Sequence, residues 1–291
     1  MSWLINPAQL DKFRKSQKNM LILDASLHLD QRNPKQEFSE KHIIDAQFFD
    51  IDLFSDMQTH LPHMLMHDEK LISEKLGNLG IRNDYKICFY DNSDLHSACR
   101  ALWMFKVFGH NPNLLYILDG GFKAWEKFGG KIETGHPTIT PRTYTAKFHS
   151  EFLCTLAQMK KNVQETTTQI IDLRHAARFV GGKETRPHLR SGHMPGSISF
   201  PFVSLFDKEN CFLPLEKIRK KLTDLAIDLN VPIAATCGSA ITAPILDFLL
   251  DLLNHSHHTV YDGSWSEWGA ETLYAGENTI ENRPVETYLK D

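Results

Sequence analysis

The 291-residue chain has no surplus of positive charge: 32 Lys and Arg stand against 36 Asp and Glu, a formal net charge of −4. It therefore has no basic field to neutralise nucleic-acid phosphates or anionic lipid, and neither polyanion is expected as a partner. Long apolar runs are missing too. The stretch from Ile245 to Leu253 is broken by Asp247 and Asp251 and falls well short of the roughly 20 residues a membrane span needs, so no membrane partner is expected. The opening Met1-Ser2-Trp3-Leu4-Ile5-Asn6-Pro7 has neither a basic region nor a long apolar one, and Asp11 precedes the first basic residue, Lys12. This points away from secretory or organellar targeting and towards the cytoplasm. Cysteine is sparse. Cys88, Cys99, Cys154, Cys211 and Cys237 are odd in number, widely spaced and without a CxxC pair, which speaks against a disulfide framework and against a zinc site. No low-complexity tract occurs.

What is present is a globular composition, 42% hydrophobic and 23% charged, on a chain about two average domains long. The chain repeats itself: four features recur in the same order about 150 residues further on. Leu21-Ile22-Leu23-Asp24 returns as Ile170-Ile171-Asp172, and the turn His42-Ile43-Ile44-Asp45-Ala46 returns as His193-Met194-Pro195-Gly196-Ser197. Ile87-Cys88-Phe89-Tyr90 returns as Ile233-Ala234-Ala235-Thr236, and the stretch from Leu118 to Trp125 returns as Tyr261 to Trp268. Amphipathic stretches at Glu69 to Leu79, Ala98 to Phe108, Leu215 to Leu225 and Ala243 to Leu253 read as helices between short apolar strands. That alternation predicts an α/β fold in two copies, each a mainly parallel sheet flanked by helices. The Thr- and Pro-rich segment beginning at His136 separates them, giving domains at 1–135 and 151–291 with a linker at 136–150.

In an open parallel sheet, ligands bind beyond the carboxyl ends of the strands. Cys237 sits at such an end, followed by Gly238-Ser239-Ala240-Ile241-Thr242. Thr242 is placed to cap the next helix, and Pro244 is acceptable in its first turn. A loop wound around the sulfur would aim backbone N–H groups at it and favour the thiolate; a buried small hydrophobe is the other reading of a cysteine so placed. The other four cysteines lie in apolar patterns or lack such a loop. In the first copy Asp91 holds the place of Cys237, at the start of a loop of equal length, Asp91 to Ser97. The trio His255, His257 and His258 reads as a solvated helix-end loop rather than a metal site.

The Asp-ended strand, Gly-His-Met-Pro-Gly at 192–196, Cys-Gly-Ser-Ala-Ile-Thr-Ala at 237–243 and Tyr-Asp-Gly-Ser-Trp at 261–265 together resemble the tandem rhodanese-domain sulfurtransferases over nearly the whole chain. Thiosulfate enzymes of that family carry Arg and Lys directly after the cysteine. Gly238 and Ser239 resemble instead the 3-mercaptopyruvate branch, as does the wider active-site loop of Gly238, Ala240, Ile241 and Thr242. The resemblance implies that Cys237 is the nucleophile, that Arg178 and Arg186 bind the substrate carboxylate and keto oxygen, and that Ser239, Asp52 and His63 orient or proton-couple the reacting groups. Arg174 and Arg190 are expected to serve structure, and Asp262 and Trp265 to pack against the active loop. Alanine at 240 replaces the family's usual glycine, and a positive φ there would strain it.

The implied reaction is a double displacement. Cys237 takes sulfur from 3-mercaptopyruvate as a persulfide, pyruvate leaves, and the sulfur passes to cyanide, a small thiol or a thioredoxin-like acceptor, with no cofactor or metal. The first domain, with a carboxylate in place of the thiol, is expected to be silent. The rival readings are thiosulfate as preferred donor and a non-catalytic binding module; a cysteine phosphatase would need Arg where Ala243 stands.

Overall fold

In the computed structural model, which describes residues 3–17, 19–273 and 279–288, the chain divides into two compact units. The first takes in the chain to Met57, Leu65–Ser150 and Phe206–Phe212; the second takes in Gln58–Met64, Glu151–Leu205 and the chain from Leu213 onward.

The first unit contains strands β1 (Leu4–Ile5), β2 (Met20–Asp24), β3 (His42–Ile43), β4 (Ala46–Phe48), β5 (Lys86–Tyr90), β6 (Leu115–Leu118) and β7 (Ile132–Glu133). Its helices are α1 (Pro7–Ser16), α2 (Pro34–Glu40), α3 (Glu69–Asn78), α4 (Ala98–Val107) and α5 (Gly121–Phe128). Five strands form one parallel sheet in the order β1-β6-β5-β2-β4, and β3 pairs antiparallel with β7. The second unit contains β8 (Leu153–Cys154), β9 (Gln169–Asp172), β10 (Ile198–Ser199), β11 (Ile233–Thr236) and β12 (His258–Tyr261). Its helices are α6 (Leu156–Glu165), α7 (Ala176–Phe179), α8 (Leu215–Asp224), α9 (Ala243–Leu252) and α10 (Ser264–Trp268). Its parallel sheet runs β10-β9-β11-β12-β8, the same connectivity read from the other edge.

The central strands read as nearly unbroken apolar runs because helices cover both faces of each sheet. In β11 every residue is buried, and so is every residue of α4. The duplication reaches to detail. Asn6 with Gln9 and Thr155 with Gln158 each close a capping box on the first helix of their unit. His42 and His193 each stack on a phenylalanine, Phe38 or Phe179, at 3.9 Å between ring centroids, and each donates from Nδ1 to that same residue's carbonyl at 2.7 Å. The stretch from His136 is without regular structure, yet it is tied to the first unit: Arg142 donates to the Gly77 carbonyl, Lys147 to that of Phe108 and His149 to that of Val107.

Two local expectations fail. The loops at 91 and 237 are not equally long, because α4 starts at Ala98 and α9 at Ala243, one residue sooner after its strand. The histidines after α9 are not a solvated loop either. His255 and His258 are buried, and His258 lies between two carboxylates of α9, Nδ1 at 2.8 Å from Asp247 and Nε2 at 3.2 Å from Asp251. The i and i+4 spacing puts both carboxylates on the helix face turned towards β12. Among the described residues no cluster of three or more His, Cys, Asp or Glu side chains is arranged to hold a metal.

Candidate active site

Cys237 is the first residue beyond β11, the central strand of its sheet, and is 2% exposed. The loop it opens is held by α10 and the turn before it. The Ser264 hydroxyl accepts the backbone N–H groups of Cys237 and Ala240, both at 3.2 Å, and donates to the Tyr261 carbonyl at 2.8 Å. Trp265 N–H donates to the Cys237 carbonyl at 3.0 Å; Ser266 donates to the Gly238 carbonyl from its N–H at 2.9 Å and from its hydroxyl at 2.8 Å. The buried Trp265 packs where the sequence places it, and its neighbours Ser264 and Ser266, which sequence reasoning passes over, carry the polar anchoring. Their signal was the polar alternation in Gly-Ser-Trp-Ser.

Thr242 occupies the N-cap position of α9 without capping it. Its backbone is already helical, φ −96° and ψ −18°, whereas a capping side chain reaches back from an extended residue. Ala240 is fully buried at φ +56°, the left-handed conformation that a Cβ disfavours. Ser239, Ile241 and Thr242 are buried in the same loop.

Two guanidiniums converge on the residue after the cysteine. A Cβ placed on Gly238 would lie 3.4 Å from Arg178 Nη1 and 3.7 Å from Arg186 Nη1. Arg186 Nη1 also donates to Ser266 Oγ at 2.9 Å and to the Gly238 carbonyl at 3.3 Å. Burial, followed by the neighbouring Arg178 charge, pushes Arg186 down from its ordinary pKa. Both arginines pair with Glu184, a residue that sequence reasoning missed.

A rhodanese-like domain model matches the chain twice, over residues 7–128 and 155–271. The chain belongs to the rhodanese family. This rhodanese is 39% identical over 277 residues to "Thiosulfate/3-mercaptopyruvate sulfurtransferase 1, mitochondrial" of Arabidopsis thaliana, covering 87% of this chain and 72% of that protein. It is 35% identical over 266 residues to the 3-mercaptopyruvate sulfurtransferase of Mus musculus, covering 90% and 89%. Its fold matches the crystal structure of SseA from Escherichia coli, described as a 3-mercaptopyruvate sulfotransferase, at a TM-score of 0.83 and 31% identity, over 92% of this chain and all of that one. The chain is an enzyme of the sulfurtransferase class.

Within this rhodanese, the other arginines separate by burial. Arg174, 3% exposed, makes a bidentate pair with Asp172 at 2.7–3.1 Å and lies 4.1 Å over the Trp265 ring. Arg190 donates to the carbonyls of Trp268 and Gly269. Burial pushes the Cys154 thiol up to about 12 and the Cys211 thiol to about 11, and raises Cys88 further, so none of these three is a ready thiolate. His63, at φ +60°, falls in the same unit as Cys237. Asp52, on the 3-10 turn Ile51–Phe54, is exposed and belongs to the first unit.

Proposed function

We propose that the chain transfers sulfur from 3-mercaptopyruvate through a Cys237 persulfide, as the names of its mouse and bacterial relatives suggest. The observation that carries this reading is the pair Arg178 and Arg186 set against Gly238, with no cation supplied by the loop itself. A donor whose single carboxylate lies away from its sulfur suits that arrangement: the guanidiniums take the carboxylate and the keto oxygen. The Cys237 thiolate attacks the donor thiol, forming an S–S bond while the C–S bond breaks. The electron pair of the broken bond moves onto carbon and the keto oxygen as the pyruvate enolate, stabilised by the same guanidiniums. Protonation at carbon then gives pyruvate. Ser239, Asp52 and His63 are the groups we assign to orienting the donor and handling that proton.

A second thiolate, from a small thiol or a thioredoxin-like protein, or cyanide, then attacks the outer sulfur and regenerates the Cys237 thiolate. No cofactor or metal enters the scheme. The first domain, up to about residue 135, is silent in it because the Asp91 carboxylate cannot carry sulfane sulfur, and residues 151–291 hold the reacting cysteine. We place the enzyme in the cytoplasm. Five free thiols suit a reducing compartment, and no helix among the described residues is long and apolar enough to cross a membrane. A fluorescent fusion located in an organelle would overturn that placement.

Steady-state comparison of the two donors, with cyanide as acceptor, tests the reaction. Mercaptopyruvate is expected to exceed thiosulfate by at least about tenfold in kcat/KM, ~1.4 kcal/mol of transition-state binding. Equal or inverted preference would move the enzyme to the thiosulfate branch.

A further inference from the structure

Glu184 lies between the two arginines, its side chain 4% exposed where theirs are 31% and 32%. Oε2 accepts from Arg178 Nη2 at 2.6 Å and Nε at 3.3 Å; Oε1 accepts from Arg186 Nε and from the Arg186 backbone N–H, both at 3.3 Å. The Glu184 N–H donates to Ser191 Oγ at 3.1 Å, which fixes the residue from behind. Each arginine thus spends its Nε edge on the carboxylate and presents the remainder of its guanidinium to Gly238. Arg186 Nη2 is buried and makes no hydrogen bond, a guanidinium donor left unspent 3.9 Å from where a Cβ on Gly238 would lie. Burial works against ionisation of Glu184, but the Arg178 bond and the two guanidinium charges outweigh it and hold its carboxyl below the ordinary value.

Two guanidiniums less one carboxylate leave a single positive charge facing the loop. A donor with one negative charge neutralises it. A dianion leaves one uncompensated negative charge beside a thiolate that is itself buried, where charge imbalance is costly. We propose that Glu184 sets donor specificity in this enzyme, orienting both arginines and trimming their combined charge so that monoanionic α-keto thiols are favoured over dianionic oxyanions. The proposal rests on the sulfur-transfer reading above and adds to it the residue that selects the donor. Glu184 acts through the arginines and is a positioning residue.

The test compares Glu184→Gln and Glu184→Asp with the wild type, measuring kcat/KM for mercaptopyruvate and thiosulfate with cyanide as acceptor. The Gln variant removes the charge while keeping an acceptor of the same reach. It is expected to move the ratio of the two kcat/KM values towards thiosulfate by at least about tenfold. The Asp variant keeps the charge and is expected to hold the ratio within about threefold of wild type even where both rates fall. A Gln variant that lowers both donors by a common factor, or moves the ratio the other way, would reduce Glu184 to scaffolding. Should the Gln variant not fold, inhibition of the wild type decides: pyruvate is expected to compete more strongly than the doubly charged sulfate, and the reverse order overturns the proposal. Which donor the wild type prefers tests the sulfur-transfer reading, whereas the displacement of the ratio tests Glu184.

Discussion

The two loops that close the two sheets solve the same problem differently. In the first unit the opening residue holds its own loop: Asp91 Oδ2 accepts from the Ala98 N–H at the start of α4 at 2.8 Å, and Oδ1 accepts from Ser93 N–H at 3.2 Å. In the second unit the anchor lies outside the loop, on the Ser264 hydroxyl. The position equivalent to Ser264 is Gly121, where any Cβ would meet the Asp91 carbonyl at 2.3 Å. Both follow with a matching bond, Phe122 N–H to the Asp91 carbonyl at 2.9 Å and Trp265 N–H to the Cys237 carbonyl at 3.0 Å. In the first copy the opening side chain is spent on holding its loop, and in the second that task passes to Ser264, leaving the Cys237 side chain out of it. A residue relieved of structural duty is the one free to change its covalent state.

The sharpest way to break this comparison is to remove the functional group of each opening residue in turn. Cys237→Ser is expected to lower turnover by at least about a thousandfold, as loss of a covalent nucleophile does, while Asp91→Ala leaves turnover within a few-fold and costs stability. Mass spectrometry of wild type treated with donor alone should show one added sulfur on the Cys237 peptide. Sulfur on Cys88, Cys99, Cys154 or Cys211 would end the assignment.

Next in size is the contrast among arginines. Arg178→Ala and Arg186→Ala are each expected to cost ~2–4 kcal/mol in kcat/KM for mercaptopyruvate and less than that in stability, because the buried Glu184 keeps its second arginine. Arg174→Ala strands a buried carboxylate on Asp172 and is expected to cost ~3–5 kcal/mol of folding stability. Equal kinetic losses in all three would mean a general positive surface and no clamp.

A smaller effect comes from Asp91 itself. Burial raises its carboxyl to about 7, against the pull of the Ala98 and Ser93 amides. Since the folded state then holds a proton that the unfolded chain releases, its contribution is complete below the ordinary carboxyl range and is lost as pH rises towards 7. Denaturant unfolding at pH 5 and pH 8 should show wild type losing ~2–3 kcal/mol more than Asp91→Asn across that interval; parallel losses would remove the effect.

The smallest expected change is at Ala240. With φ at +56°, Ala240→Gly relieves strain of ~1–2 kcal/mol, partly offset by unfolded-state entropy, and is expected to raise turnover modestly without lowering the melting temperature. A lower melting temperature with unchanged turnover would show the alanine to be at ease.

What was legible in the sequence follows a physical line. Strand ends marked by Asp24 and Asp172, and Cys237 beyond an apolar run, depend on local pattern, and the duplication doubled each signal. Glu184, Ser264 and the Asp247, His258 and Asp251 group depend on which residue of one element faces which of another. Serine after glycine, or a glutamate among arginines, reads as ordinary surface until β12 and α10 are set against the loop. Thr242 shows the converse: its type was right for a cap, and the backbone the loop imposes was wrong.

The Ser264 hydroxyl has one hydrogen to give and two lone pairs to receive, and all three are in use. Neither end of the segment from Cys237 to Ala240 can drift without breaking a bond that the other end shares, so the loop behaves as a mould and not as a hinge. In the proposed reaction an extra sulfur atom on Cys237 is then not housed by swelling of the loop and has to be accommodated on the side from which the donor arrives. On the proposed reading, donor and acceptor use one doorway and must take turns at it, which makes alternation between substrates a property of the mould before it is a property of the kinetics.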